Sequence, residues 1–239
     1  MFGHYGDKLA GQRLLILGGA GNMGRSVARF ALEAGIHPIL VGRTEASLAQ
    51  AAEEIGGGSD RVSYHTADAT DALQILSVFE RVGQVDHIVT PTSSGTPQVK
   101  PPKATIPLVD VMLAQSVYSR LWAAYNVLHL APRFVSPEGS ITIVSGASAR
   151  RPQQGFGIYG AMHGALEALA RAAAIELAPI RVNTISPGCL GVQPIKQLNR
   201  HFGQYDDFGI AVLGVIANRA ITAATLDVDG GESLGAWSG

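Results

Sequence analysis

The segment 158–169, IYGAMHGALEAL, places Tyr159 and His163 four positions apart in a run of small and apolar residues. Side chains at positions i and i+4 lie on the same face of a helix. A phenol and an imidazole are both able to transfer protons to or from a bound molecule. The segment therefore predicts a helix that presents a tyrosine and a histidine to one site, either as a working acid/base pair or as the remnant of one.

Apolar strand-like runs alternate with helical patterns along most of the chain. The predicted strands are RLLILGG (13–19), HPILVGR (37–43), VSYHTADAT (62–70), VDHIVTPTSSG (85–95), GSITIVSGAS (139–148), IRVNTISPG (180–188) and AATLDVDGG (223–231). The predicted helices are 22–34, 47–55, 72–83, a long helix over 109–134, the helix that contains Tyr159, and 205–218. This alternation indicates a single α/β domain over 1–239, a doubly wound parallel sheet that binds its ligands at the carboxyl ends of the strands.

Bulk composition excludes several classes of function. The 239 residues carry a formal net charge of −1, which gives no electrostatic reason to expect nucleic acid or a membrane surface as a partner. The single cysteine, Cys189, excludes an internal disulfide and a metal site built from several cysteines. The sequence shows no apolar run typical of a signal peptide or a transmembrane helix. We therefore expect a cytoplasmic protein whose partner is a small molecule.

A glycine-rich turn follows the first predicted strand. In LGGAGNMG the residues Gly19, Gly21 and Gly24 have the G-x-G-x-x-G spacing with which a strand-to-helix turn binds the pyrophosphate of a dinucleotide. Glycine-rich turns also occur for packing reasons alone. The position of this turn in the first strand–helix–strand unit favours the dinucleotide.

The end of the second predicted strand indicates which dinucleotide to expect. Gly42 and Arg43 stand where an Asp or Glu would hold the ribose hydroxyls of NAD. No acid there repels a 2′-phosphate, and a guanidinium is available to bind one, so the sequence favours NADP(H) unless Arg43 is merely solvated. Asp68, at the end of the third strand, is placed to accept a hydrogen bond from the adenine amino group.

Together these pieces resemble the short-chain dehydrogenase/reductase family over nearly the whole chain. The matching motifs are LGGAGNMG, the DAT at Asp68, GSITIVSGAS, Tyr159 in its helix, IRVNTISPG and LDVDGG. The resemblance implies a Rossmann-like fold, NAD(P) binding, a dimer or tetramer, and carbonyl reduction or alcohol oxidation by an Asn-Ser-Tyr-Lys tetrad. The cofactor-binding residues that we predict are Gly18, Gly19, Gly21, Asn22, Met23, Gly24, Arg43, Asp68, Ala69, Thr90, His163, Pro187 and Gly188.

The catalytic tetrad that the resemblance implies is altered in three places. Tyr159 matches the catalytic tyrosine, whereas His163 stands at the lysine and Arg120 at the asparagine. The spacing to Tyr159 puts Gly146 at the serine. Two neighbouring hydroxyls could replace that serine, and we favour Ser145, at the end of its strand, over Ser148.

The lysine of the family supplies a positive charge beside the tyrosine. A histidine has an ordinary pKa of about 6.5 and is mostly neutral at neutral pH, so His163 could bond a ribose hydroxyl or only fill the space of the lysine. Arg120 is the candidate replacement for the charge, unless it pairs with a helix carboxylate or bridges subunits.

Three hypotheses follow for the function. The first is an NADPH-dependent reductase of a carbonyl, imine or activated alkene in a largely apolar small molecule, with residues 189–218 as a short substrate-side segment. The alternative is a member of the family that has lost redox chemistry and catalyses an isomerisation, cyclisation or elimination. The third is a non-catalytic nucleotide-binding protein.

Overall fold

The described strands form one parallel sheet. The computed structural model describes residues 9–56, 60–92, 111–151, 156–191, 198–201 and 203–234. Within these ranges the strands are β1 (Arg13–Leu17), β2 (His37–Gly42), β3 (Ser63–Thr66), β4 (Val85–Thr90), β5 (Val135–Val144), β6 (Arg181–Pro187) and β7 (Thr225–Val228). They pair in the order β3–β2–β1–β4–β5–β6–β7, and every neighbouring pair is parallel.

Helices cover both faces of the sheet, as the alternating pattern predicts. They are α1 (Asn22–Glu33), α2 (Glu45–Gly56), α3 (Ala72–Val82), α4 (Val111–Leu130), α5 (Gly157–Glu176) and α6 (Tyr205–Ala217). The helices α1, α2 and α6 bury side chains such as Leu48 and Phe208 on one face, and α3, α4 and α5 bury Phe79 and Met162 on the other. The prediction of a doubly wound Rossmann-like fold is confirmed.

The topology creates a crevice between β1 and β4. From β1 the chain proceeds outwards through β2 to β3, and it then returns to β4 on the other side of β1. Loops at the carboxyl ends of these two central strands diverge, and such a switch point is where doubly wound sheets bind their ligands.

Several predicted elements end earlier than the sequence pattern suggested. The long helix α4 ends at Leu130, and the short 3-10 turn Ala131–Arg133 follows, because Pro132 lacks a backbone N–H and cannot continue the helix. The strand β3 ends at Thr66, since Asp68 accepts hydrogen bonds from Thr70 and forms a turn. The strand β4 ends at Thr90, directly before Pro91.

One predicted strand begins earlier than expected. The strand β5 begins at Val135 rather than Gly139, with an irregularity in its pairing between Val85 and His87. The predicted positions 93–95, 109 and 110 lie outside the described residues. None of the described helices is both long and apolar enough to cross a membrane.

The turn between β1 and α1 requires glycine at two positions. Gly18 has a φ of +92°, and a Cβ atom there would lie 2.7 Å from the carbonyl oxygen of Pro91. A Cβ atom on Gly24 would overlap the carbonyl oxygen of Gly18. These two glycines therefore allow the turn to lie against the end of β4 and the first turn of α1 to lie against β1.

Replacing Gly24 tests this packing. Because the new methyl group would collide with rigid backbone, Gly24→Ala should lower the free energy of unfolding by about 1–3 kcal/mol. In the control Gly214→Ala, on the exposed side of α6, a Cβ atom meets no other atom within 4 Å. That change should raise the free energy of unfolding by up to about 1 kcal/mol. Urea denaturation measures both, and equal values for the two variants would contradict the proposed packing.

Candidate active site

A cleft of about 670 Å³ opens at the carboxyl ends of the central strands. Of the cofactor-binding residues that the sequence predicts, the cleft is lined by Gly18, Gly21, Asn22, Met23, Arg43, Asp68 and Ala69. Pro91 and Thr92 close it from the end of β4, and Arg120 reaches it from α4. The cleft thus joins the glycine turn to Arg120, one of the catalytic residues that the sequence predicts.

The amino end of α1 provides donors for an anion. Gly21 caps this helix without a side-chain hydrogen bond, and the first turn carries no acidic residue. Asn22 and Met23, the first two helical residues, line the cleft. Free N–H groups and the positive end of the helix dipole make such a terminus suited to a pyrophosphate.

Arg43 directly follows β2 and also lines the cleft. Its side chain is exposed, and it has no ion-pair partner among the residues that the structure describes. Thr44 and Ser47, at the start of α2, line the cleft beside it. A free guanidinium with two neighbouring hydroxyls is able to bind a phosphate group.

Asp68 also lines the cleft, and its side chain is held in place by hydrogen bonds within its own turn. Its Oδ1 accepts hydrogen bonds from the backbone nitrogen of Thr70 at 2.9 Å and from the Thr70 hydroxyl at 2.8 Å. The next residue, Ala69, accepts a hydrogen bond from Asn126 of α4 at 3.1 Å. The loop after β3 is therefore tied to the helix that carries Arg120.

The imidazole of His163 is buried and contacts two side chains. Its Nε2 lies 3.2 Å from Nη1 of Arg120, and its Nδ1 lies 2.8 Å from Oγ of Ser148. Burial, together with the positive charge of Arg120, lowers the pKa of His163 to about 4. The ring is therefore neutral at neutral pH, with both nitrogen atoms engaged by protein groups.

Arg120 and Tyr159 lie within electrostatic range of each other. Burial lowers the pKa of Arg120, whereas the charge interaction with Tyr159 raises it. Tyr159 is half-buried at the start of α5, and its ring centroid lies 5.7 Å from that of Phe156. The structure thus brings Arg120, Tyr159 and His163 together next to the cleft.

A profile of the family described as "short chain dehydrogenase" matches residues 12–201. The chain belongs to the short-chain dehydrogenase family. The chain is 28% identical over 254 aligned positions to the short-chain dehydrogenase/reductase ATR9 of Stachybotrys chlorohalonatus, covering 95% of this chain and 98% of that one.

Two solved structures of the family extend the comparison. The MalC reductase/Diels-Alderase of Malbranchea aurantiaca is 25% identical, with a TM-score of 0.84, and covers 96% of this chain and 99% of its own. A small-chain dehydrogenase in complex with NADPH is 25% identical, with a TM-score of 0.72, and covers 94% of this chain and 99% of its own. These comparisons identify the protein as an oxidoreductase of this family.

Gly146, which the sequence predicts to stand at the position of the family serine, lies against the ring of His163. A Cβ atom at Gly146 would lie 2.6 Å from Cε1 and 2.9 Å from Nδ1 of His163. Real Cβ atoms essentially never approach other atoms so closely. The histidine ring therefore fits in its observed position only because residue 146 has no side chain.

The two neighbouring serines point to different partners. Ser145, which the sequence favoured, is buried and donates its hydrogen bond to Oε1 of Glu167 at 3.1 Å. Arg150 lies 3.5 Å from the same carboxylate oxygen. Ser148, in the short 3-10 turn Ala147–Ala149, contacts His163 instead. Ser148 is therefore the one of these two serines that contacts His163, and the choice of Ser145 as the catalytic serine stays a prediction.

Other residues predicted from the sequence lie outside the described lining of the cleft. Gly19 packs against Leu40 of β2, and Gly24 packs against the backbone of the glycine turn. Thr90 is buried at the end of β4. Pro187 ends β6, and Gly188 follows it with its nitrogen bonded to the carbonyl oxygen of Val228. Their predicted contacts with a cofactor, like that of His163, stay predictions.

The sequence did not single out Thr44 and Ser47, whose hydroxyls flank Arg43 in the cleft. Their position directly after the second strand, where the cofactor site was expected, could have identified them as cleft residues. The pairing of Ser148 with His163 had no sequence signal, because the two residues lie 15 positions apart in different elements.

Two buried neutral histidines should make the stability of the fold pH-dependent. Burial lowers the pKa of His87 to about 3, in a site between Ser140 and Gln12, and the pKa of His163 is about 4. Since the unfolded chain binds these protons near pH 6.5, the free energy of unfolding should fall as the pH falls from about 6.5 to about 4. The expected slope is at most about 1.4 kcal/mol per pH unit for each histidine.

Chemical denaturation at a series of pH values measures this slope. The single variants His87→Gln and His163→Gln should each have a shallower slope than the unmodified protein over the same range. The pKa assignments would be wrong if both variants had the slope of the unmodified protein.

Proposed function

We propose that the protein is an NADPH-dependent reductase of a carbonyl, imine or activated alkene in a largely apolar small molecule. The observation that carries this proposal is the cleft. It combines a glycine turn at a helix amino end with a free guanidinium where an NAD-binding protein has a carboxylate.

The residues of the cleft fit the adenine, the 2′-phosphate and the pyrophosphate of NADPH. Asp68 would accept from the adenine, Arg43 with Thr44 and Ser47 would hold the 2′-phosphate, and the amino end of α1 would hold the pyrophosphate. The relative with bound NADPH supports this choice of cofactor. When bound, NADPH supplies a hydride.

Tyr159 is the proposed proton donor to the substrate atom that gains negative charge. Arg120 lines the cleft and supplies the fixed positive charge that the family lysine would otherwise supply. Such a charge stabilises a developing negative charge on the substrate, because a guanidinium stays protonated. His163 is neutral and therefore contributes hydrogen bonds rather than charge.

This arrangement favours imines that bind as iminium ions over ketones as substrates. Hydride addition to an iminium ion gives a neutral amine directly, whereas addition to a ketone gives an alkoxide that must be protonated. A site that lacks the lysine beside its tyrosine therefore loses less of its reaction rate with an iminium ion than with a ketone.

A second candidate is a non-redox reaction, such as a cyclisation, in the same cleft. Arg120 Nε is buried and has no hydrogen-bond partner among the described residues. A buried guanidinium beside the cleft could polarise a substrate carbonyl without a hydride transfer. The printed name of the MalC relative couples a reductase to a Diels-Alderase, which supports keeping this candidate. Product formation without consumption of NADPH would identify it.

The cofactor preference can be tested at Arg43. The variant Arg43→Gln should weaken NADPH binding about 10-fold or more and leave NADH binding unchanged, because only NADPH carries the 2′-phosphate. The matched control is Arg133→Gln, on an exposed arginine that does not line the described cleft. Isothermal titration calorimetry measures all four affinities. Equal losses for NADPH and NADH, or none for either, would contradict the assignment.

The proton donor can be tested with Tyr159→Phe and a panel of ketones and cyclic imines. The change should lower kcat for ketones about 100-fold or more, as expected for the loss of a general acid, and lower kcat for preformed iminium ions far less. The control is Tyr125→Phe, at an exposed tyrosine of α4. If the unmodified protein oxidises NADPH with no member of the panel, the proposed reductase function is wrong.

A further inference from the structure

The hydrogen bonds around His163 have a defined direction. A guanidinium only donates hydrogen bonds, so Nε2 of His163 must accept from Nη1 of Arg120. A neutral imidazole then carries its proton on Nδ1, and this N–H donates to Oγ of Ser148. The chain of donors therefore runs from Arg120 through His163 to Ser148.

This direction leaves one hydrogen atom unused. Ser148 Oγ accepts from the imidazole, so its own O–H hydrogen is not needed for that contact. His163 is the hydrogen-bond partner that the structure gives to the Ser148 hydroxyl among the described residues. The hydroxyl is thus oriented by the ring and remains able to donate elsewhere.

We propose that His163 is a positioning residue, whose neutral ring holds Arg120 at the cleft and orients the Ser148 hydroxyl so that its hydrogen is donated to an acceptor in the active site. The proposal rests on the proposed function only for the identity of that acceptor, a lone pair of the substrate. His163 neither takes nor gives a proton in the reaction, since the chain ends in a guanidinium that does not release one at neutral pH.

Gly146 completes this unit. Because the ring occupies the space of a side chain at position 146, the glycine and the histidine must occur together. A serine at 146, as in the family tetrad, would expel the ring from its contacts with Arg120 and Ser148. Gly146, Ser148, Arg120 and His163 are therefore interdependent, and exchanging one of them alone disturbs the others.

Few charged groups act on the ring, which simplifies the test. Arg120 of α4 is the charge that lowers the pKa of His163, and Tyr159, on the same helix as the ring, acts on Arg120. Glu167, one helical turn further along α5, is already bonded to Ser145 and lies next to Arg150. No carboxylate among the described residues is paired with the ring.

The direct test is long-range proton–nitrogen NMR of the histidine side chains in the unmodified protein. We expect His163 to be a neutral Nδ1–H tautomer, with unchanged nitrogen shifts between about pH 5 and about pH 8. His87 is an internal reference with the opposite tautomer, since its Nε2 faces Oε1 of Gln12 and its Nδ1 faces the Ser140 hydroxyl. A protonated Nε2 on His163, or a titration near pH 6.5, would overturn the proposal.

The steric part is tested by a double-mutant cycle in thermal denaturation. Gly146→Ala alone should lower Tm by about 2–10 °C, because the methyl group collides with the ring. In the background His163→Ala, the same glycine change should shift Tm by less than about 1 °C. Equal shifts in the two backgrounds would show that the glycine and the ring are independent.

The catalytic part compares His163→Leu with His163→Gln, whose amide retains one donor and one acceptor. The leucine variant should lose about 10-fold or more in kcat, with the KM for NADPH changed by less than about 3-fold, because the ring holds catalytic groups and not the cofactor. The glutamine variant should recover part of the lost kcat. A large rise in the KM for NADPH with unchanged kcat would assign the ring to the cofactor instead.

Failure of the two proposals can be distinguished. The NMR and thermal measurements do not depend on any substrate. They therefore test the positioning role of His163 even if the unmodified protein oxidises no NADPH. An active reductase with the wrong histidine tautomer would overturn only the positioning role.

Discussion

The hydrogen bond between Arg120 and His163 connects the cleft to α5, the helix that carries Tyr159. It places a buried positive charge on α4 next to an imidazole on α5, at a distance of 3.2 Å. A buried guanidinium needs acceptors, and a neutral imidazole offers one without adding a second charge. Burial, together with the charge of Arg120, lowers the pKa of the ring, so His163 stays in the neutral form that the contact requires.

Gly146 and Ser148 are linked to this contact through the ring of His163. The ring is broader near the backbone than a lysine side chain, and Gly146 provides the space. Its second nitrogen then reaches Ser148 rather than the serine of the family motif. In the proposed mechanism the fixed positive charge lies on α4, on Arg120, whereas the lysine of the family motif would place it on α5.

The two halves of the cleft depend on different parts of the chain. The half that we propose for the cofactor is formed by the glycine turn, the amino end of α1 and the end of β2, and these follow from local sequence spacing. The catalytic half uses side chains from α4, α5 and the turn after β5, which meet only through the sheet topology. The first half can therefore stay similar to the family while the second half changes.

This division also explains what the sequence could predict. The apolar runs and the glycine turn predicted the alternation of strands and helices, the two helix layers and the position of the cleft. Each of these signals lies within a few neighbouring residues. The contact of the Ser145 hydroxyl with Glu167, which lies 22 positions further along the chain, had no local signal in the sequence. The partners of His163 likewise come from two other elements, and no local pattern reveals them.

The most direct measurement of the central claim is a crystal structure of the protein with NADP⁺ bound. We predict that the 2′-phosphate lies on Arg43, that the nicotinamide lies beside Tyr159, and that His163 keeps its contacts with Arg120 and Ser148. A nicotinamide bound away from Tyr159, or a His163 ring turned onto the cofactor ribose, would contradict this account of the active site.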